Sequence, residues 1–285
     1  MVHKPEPETA TETEGPQPLV SPLLFPLLSP LLSPLLSGVS PVRHGFFTRQ
    51  GGTSWGRGDL NCGLGADDDP SHVDENRRCV RDHLAAQGLV SLTQTHSAQV
   101  NSLTAAPDWP RGRGPEGDGL VTRVPGLALG VLSADCGALL AVDPVAGVIG
   151  AAHSGWKGTA GNITRALIDA MMGQGAEPAR IRLALGPMIR QASYEVGPEF
   201  PDHFRGAVAD HRRFFRPASR DGYFLGDIAG IIAAQAAAEG VGDFEDIGGD
   251  TYTDPQRFFS ARRSAHQRQP EFGRVISAIV LGGAA

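Results

Sequence analysis

Between Leu129 and Thr159 the chain alternates short, continuous apolar runs with glycine-rich turns. Such runs read as strands buried on both faces, and Val131–Leu132 and Val148–Ile149 each lead to one side chain able to bind a metal, Cys136 and His153. A third strand-like run, LTQTHSAQV, brings in His96 forty residues before the cysteine. HGFFT at 44–48 predicts a strand opening into the turn-rich loop RQGGTSWGRGDLNCG, with Arg49 at the junction. IRLALG, FFSARRS and RVISAIVLGG read as further strands. Helices are predicted over 72–88, with Ser71 as cap, Val73, Val80 and Leu84 on one face and Gly88 as stop, over the segment carrying Ile163, Leu167, Ala170 and Met171, and over 226–239. GRGPEG at 112–117 has the form G-x-G-x-x-G but lacks the strand before and the helix after that a dinucleotide site requires, so it predicts a flexible loop.

The N-terminal pattern is different. Residues 1–18 are polar, acidic and rich in Pro and Thr, and SPLLFPLLSPLLSPLL follows as an apolar near-repeat whose prolines break any membrane-crossing helix. No basic segment precedes it and no clear cleavage site follows. The expected organisation is a disordered or extended leader over 1–36 and one catalytic domain over 37–285. With 285 residues and 41% hydrophobic content, a single large core is affordable in length. A net charge of −6 and a pI near 5.8 argue against a nucleic-acid partner. Cys62, Cys79 and Cys136 show no paired spacing, which suits a reducing cytoplasm; Cys62 and Cys79 read as packing residues and His72 and His83 as surface residues.

Singly, a cysteine or histidine after a buried strand is most often a core or satisfied residue. Together His96, Cys136 and His153 form a donor set that suits zinc, with copper as competitor, and leaves a fourth position for water or substrate. A closed structural zinc site usually carries a short C-x-x-C or H-x-x-x-H pair, absent here. The turn SGWKG after His153 opens a helix, where Lys157 and free backbone N–H groups favour an anionic substrate group. Asp135 beside Cys136 is a candidate proton shuttle, Asp118 in EGDGLVT either faces the site or caps a turn, and Arg49, Arg262 and Arg263 are candidates for holding phosphate.

HGFFTRQGGTSWG, LTQTHSAQV, EGDGLVT, SADCGALLAVD and AAHSGWKGT occur in one order. In that order they closely resemble the family known variously as laccase-like polyphenol oxidase, peptidoglycan editing factor and purine nucleoside phosphorylase. The resemblance spans about residues 37–282. It implies metal ligands at His96, Cys136 and His153, and an α+β fold with a central pair of mixed β-sheets flanked by helices, akin to the catalytic domain of cytotoxic necrotizing factor. Two departures stand out: Lys157 where the family often has Arg, and Asp250–Thr251 where it often has Cys-Thr.

The resemblance implies phosphorolysis of adenosine, inosine or methylthioadenosine, so the expected partners are a nucleoside and phosphate. A mononuclear zinc that lowers the pKa of water suits adenosine deamination at the same site. A true multicopper oxidase needs about ten histidines, mostly paired, if its coppers keep imidazole ligands. The chain has nine, without an H-x-H pair, which leaves at most weak copper-dependent oxidation of polyphenols. The rivals are a Cys/His hydrolase editing peptidoglycan precursors, with Cys136 as nucleophile and His153 as base, and a non-enzymatic module docking through the leader. Oligomeric state is left open.

Overall fold

The computed structural model describes Met1 and residues 28–282; the acidic stretch and the first part of the Pro/Leu repeat, through residue 27, lie outside the described residues. The elements, in order, are α1 (Pro34–Ser37), β1 (Val42–Phe46), β2 (Gln50–Ser54), α2 (Pro70–His83), β3 (Gly88–Thr93), β4 (Val100–Leu103), β5 (Arg113–Glu116), β6 (Gly119–Thr122), β7 (Leu127–Ser133), β8 (Gly137–Asp143) and β9 (Val148–Ser154). They continue with α3 (Trp156–Ala160), α4 (Ile163–Met172), β10 (Arg182–Leu185), β11 (Glu195–Val196), β12 (Phe215–Pro217), β13 (Phe224–Gly226), α5 (Ile228–Ala238), β14 (Asp243–Asp246), α6 (Ala261–His266) and β15 (Val275–Leu281). Two mixed sheets dominate, one in the order β1-β15-β7-β3-β5 and one in the order β14-β10-β8-β9-β6-β4; β11, β13 and β12 form a small third sheet.

Alternation along the strands sorts the core into layers. On β8, Ala138, Leu140 and Val142 face the other large sheet, meeting Leu129, Val131 and Ile279, while Leu139 and Ala141 pack with Ile163, Leu167 and Met171 of α4 and Ile231 and Ile232 of α5. On β15, Ile276, Ala278 and Val280 turn the opposite way, toward Val80 and Leu84. The result is one α+β domain in which two sheets press face to face with helices on their outer sides. This explains why the central strands read as unbroken apolar runs: both faces are covered.

Several elements differ from the sequence expectation. The first long helix begins at Pro70, capped by Asp69, whose carboxylate accepts the Ser71 N–H. It stops at Leu84, and Ala85 takes φ +45°, so Gly88 opens β3 instead of ending the helix. FFSARRS is not a strand: the Ser260 side chain accepts the Arg263 N–H and starts α6. GRGPEG is not a free loop, because Arg113–Glu116 joins β3 as a parallel edge strand. Of the apolar leader, Leu31 pairs with Phe46 through two backbone bonds of 2.9 and 3.0 Å, and Leu36 is fully buried between the sheets.

Candidate functional site

β8 and β9 are antiparallel neighbours, with Ala138 opposite His153. Cys136 has the parity of Ala138, Leu140 and Val142, and His153 that of Ile149 and Ala151, all of which line the inter-sheet layer. Cys136 and His153 therefore continue that layer where its apolar residues stop. His96 arrives from the turn after β3 with φ +60°, in the left-handed region that a non-glycine residue rarely occupies. One donor atom from each of the three lies within 4.8 Å of the others, and the two imidazoles stand 4.9 Å apart and nearly perpendicular. Burial is graded: His153 is in the core, Cys136 is half-buried and His96 faces solvent.

Asp118, at the start of β6, organises this cluster. Fully buried, its carboxylate accepts the backbone N–H groups of Thr95, His96 and Ser97 at 3.2, 3.1 and 2.6 Å, and the Ser97 hydroxyl at 2.7 Å. It also accepts from His153 Nδ1 at 2.8 Å, and its backbone carbonyl accepts the His153 N–H at 2.7 Å. One carboxylate thus holds the His96 turn and, by engaging Nδ1, leaves Nε2 as the His153 nitrogen directed to the cluster, the arrangement that orients metal-binding histidines. Gly155 supplies space. A Cβ there would stand 2.9 Å from Cys136 Sγ, 3.0 Å from His96 Cδ2 and 3.4 Å from His153 Cε1.

Burial alone would raise the Cys136 thiol, but the His153 and His96 imidazoles outweigh it and bring the pKa down to about 6. Burial likewise disfavours the His153 cation, yet the Cys136 thiolate and Asp118 carry its pKa up to about 9. For Asp118 the cost of burial is overcome by the bonds from His153 and Ser97, which hold the carboxyl well below its ordinary range. Cys62, by contrast, is pushed up to about 12 by burial. In metal-free protein, iodoacetamide is therefore expected to modify Cys136 selectively. Its rate should stay level as the pH falls from 8 and drop only below about 6, with saturating zinc protecting it. A midpoint near that of an ordinary thiol, measured by mass spectrometry, would show that the histidines do not hold the thiolate.

The cluster opens on a cavity of about 380 Å³, within the size range of small-molecule sites. Arg77, Arg111, Arg113 and Arg274 line it, together with Leu92, Leu132 and Phe272, and among the described residues no Asp or Glu does. Gln94 braces the rim by closing a two-bond clamp on Leu132, donating to its carbonyl at 2.8 Å and accepting its N–H at 2.7 Å.

Residues 43–282 match the family described as multi-copper polyphenol oxidoreductase laccase. The chain belongs to this family. It is 41% identical over 231 residues to a purine nucleoside phosphorylase of Deinococcus radiodurans, covering 79% of this chain and 85% of that protein. A 90-residue stretch is 44% identical to adenosine deaminase RL5 of an unknown prokaryotic organism, covering 32% of this chain and 34% of that one. Among solved structures, the hypothetical protein YfiH of Bacillus licheniformis is similar at TM-score 0.77 and 31% identity, over 84% of this chain and 92% of that one.

In this member of the laccase-like family the remaining predicted site residues lie apart from the cavity. Arg49 is committed to Asp59 through bonds of 2.9 and 2.7 Å, stacks over Phe259, and borders a separate shallow surface recess. Lys157 is exposed on α3 and lies over the Trp156 ring. The Arg263 guanidinium is occupied by the carbonyls of Thr251, Tyr252 and Phe258, and Arg262 Nη1 by that of Glu195. Asp135, at φ +85°, accepts from Thr251 Oγ1 at 2.6 Å, Ser260 Oγ at 2.9 Å and Arg262 N at 2.7 Å. Those three donors tie the Cys136 turn to the 251–262 segment, a positioning task that engages both oxygens. Thr251, one of the positions at the family departure, therefore keeps a partner in the turn. The cavity arginines were missed in the sequence; Arg111 and Arg113 flank Gly112 in the segment read as a loop, and nothing local marks Arg77 or Arg274.

Proposed function

We propose that this protein is a purine nucleoside phosphorylase with adenosine deaminase activity, working at the His96–Cys136–His153 cluster with zinc. The observation that carries the reading is the placement of this N₂S donor set, oriented by Asp118, on the wall of a nucleoside-sized cavity lined by four arginines. The names of the relatives support the reactions. The donors fit a metal: His153 presents Nε2 because Nδ1 is engaged, Cys136 favours the thiolate, and Gly155 keeps the space beside them free of a side chain. Bound there, zinc supplies Lewis-acid polarisation and lowers the pKa of water.

In phosphorolysis a phosphate oxygen bonds to C1′ of the ribose and the C1′–N9 bond breaks. Its electron pair leaves with the purine, which takes up a proton. The protein's part is to neutralise phosphate with arginine and to shield the ribosyl centre from water with Leu92, Leu132 and Phe272. In deamination a water oxygen bonds to C6 of adenine and the C6–N bond breaks to release ammonia. His96 is the exposed member of the cluster and lines the cavity.

The laccase chemistry of the family's description is less well supported. Among the described residues, His96, Cys136 and His153 form the one group of three His, Cys, Asp or Glu side chains with metal-compatible spacing. The low Cys136 pKa beside His153 favours, as a second reading, a metal-independent Cys/His hydrolase.

Product analysis with adenosine separates these readings. The expected result is adenine with ribose 1-phosphate only when phosphate is present, and inosine without it. Both should be lost on chelation, restored by zinc, and reduced at least about 10³-fold in Cys136→Ala, since removing a metal ligand removes the activating ion. Absence of any purine product with zinc would overturn the proposal. Turnover of cell-wall precursors that survives chelation and is stopped by alkylation would establish the hydrolase.

A further inference from the structure

The basic lining of the cavity runs against the rest of the chain. The protein carries a net charge of −6, yet among the described residues the cavity wall has four arginines and no carboxylate. Arg111 and Arg113 sit at its exposed edge with protein partners, Asp74 at 3.5 Å and the Thr93 hydroxyl at 3.1 Å. Arg77 and Arg274 are different.

Arg77 is only 8% exposed, on the inner face of α2. Its guanidinium makes one long hydrogen bond, Nη2 to the Gly112 carbonyl at 3.4 Å, and has no carboxylate within ion-pair distance among the described residues. A buried cation is normally paired, because desolvation costs several kcal/mol and only a partner charge recovers it. The fold nevertheless fixes Arg77 firmly: its neighbour Asn76 donates to Ser54 Oγ and the Asn61 carbonyl, both at 2.8 Å, and accepts the Thr53 N–H at 2.9 Å.

Arg274 lines the same cavity. Its backbone is pinned, with its N–H donated to Asn61 Oδ1 at 3.0 Å and its carbonyl accepting the Cys62 N–H at 2.9 Å. The side chain passes Gly63 and Gly65, where a Cβ would approach to 3.1 and 3.2 Å, so the Gly-Leu-Gly turn is shaped around it. Its guanidinium rests over Phe272 at 5.1 Å and makes no hydrogen bond to the described residues. Two arginines on pinned backbone, one of them buried, thus line one cavity with almost all of their guanidinium donors unused, and Asn61 and Asn76 brace the segments that carry them.

We propose that Arg77 and Arg274 form a subsite for a tetrahedral phosphate group inside the cavity, beside the His96–Cys136–His153 cluster. The phosphate is either inorganic phosphate or the phosphoryl group of a nucleotide, since both offer oxygens that match the guanidinium fork. This deepens the phosphorylase reading and rests on it for the reaction, though not for the binding. Arg49, Lys157 and Arg263 play no part in it.

The test is calorimetric titration of the full-length, zinc-loaded protein with inorganic phosphate and with adenosine 5′-monophosphate. It compares wild type, Arg77→Lys, Arg77→Gln and Arg274→Gln, with Arg165→Gln on the surface of α4 as control. Circular dichroism accompanies each, and Arg274→Gln and Arg77→Lys keep the test valid if Arg77→Gln does not fold. Phosphate binding in wild type and the control, weakened at least about tenfold in the folded cavity variants, is the expected result. Zinc stoichiometry in each folded variant should match wild type, because a general loss of site structure would release the metal as well as the phosphate. Tighter binding of the nucleotide than of phosphate, lost in the same variants, identifies the phosphoryl source; the reverse identifies inorganic phosphate; either upholds the subsite.

Wild-type phosphate affinity in Arg274→Gln and Arg77→Lys, or no phosphate binding by wild type, overturns it. The two proposals separate cleanly. Arginine-dependent phosphate binding without any purine release from adenosine keeps the subsite and rejects the phosphorylase. Phosphorolysis with an unchanged KM for phosphate in both variants keeps the phosphorylase and rejects the subsite.

Discussion

Asp118→Asn is expected to lower zinc affinity by about 10–100-fold and to destabilise the metal-free fold by about 1–3 kcal/mol. Both carboxylate oxygens accept: Oδ2 from the Thr95 and Ser97 N–H groups and the Ser97 hydroxyl, Oδ1 from the His96 N–H and His153 Nδ1. An amide NH₂ at either position faces N–H donors. Turned toward Oδ2, it releases the turn that holds His96 at φ +60°; turned toward Oδ1, it frees the His153 ring and removes the charge that favours its metal-binding tautomer. No rotamer keeps both. The loss at His153 also weakens the thiolate, because the imidazole beside Cys136 is what lowers the thiol. Chelator competition and thermal melts measure the two effects separately. Wild-type zinc affinity in a folded Asp118→Asn protein would show that the ligands are held by the strands alone.

Gly155→Ala should reduce turnover by about 10²-fold while leaving the protein folded, since misplacing reacting groups by about 1 Å can cost that much. The backbone allows the change: φ is −75° and ψ 170°, which alanine adopts freely. The space does not, because the added methyl carbon would meet Cys136 Sγ at 2.9 Å, His96 Cδ2 at 3.0 Å and His153 Cε1 at 3.4 Å. Moving Gly155 away is resisted by α3 behind it. The Gly155 carbonyl accepts the Thr159 N–H at 2.8 Å, and Gln235 of α5 donates to the Thr159 carbonyl at 2.8 Å. The ligands must therefore yield. A normal melting temperature with reduced activity and altered metal stoichiometry is the expected combination, and unchanged activity would mean that the cluster has more freedom than its packing implies.

The continuous apolar runs at 129–132, 138–142 and 148–152 determined that the central strands are covered on both faces and that Cys136 and His153 stand at their ends; the β8–β9 register then put both on one face. Periodicity found α4, because its buried face repeats at helical spacing over ten residues; α5 is apolar nearly all round and carries no such stripe. The order of short motifs determined the family and the three donors. Short elements were less legible. Ser260 and Asp69 shifted or created helix starts by single hydrogen bonds, which apolar patterning does not register.

Only the tertiary structure decided the surroundings of the cluster. Asp118 and Gly155 owe their roles to contacts with residues from separate turns, so the local sequence could mark Asp118 as a turn residue or a site residue equally well. The arginines show the limit most clearly. Arg49, Lys157 and Arg263 lie next to the motifs yet spend their charge elsewhere, on Asp59, over Trp156 and on backbone carbonyls. Arg77 reads as one more charge on a polar helix, and Arg274 as the residue before a strand. They line one cavity because α2 packs on the five-stranded sheet of which β15 is a strand. A guanidinium reaches its partner through several rotatable bonds and across chain segments far apart in sequence, so its destination is set by which elements fold together.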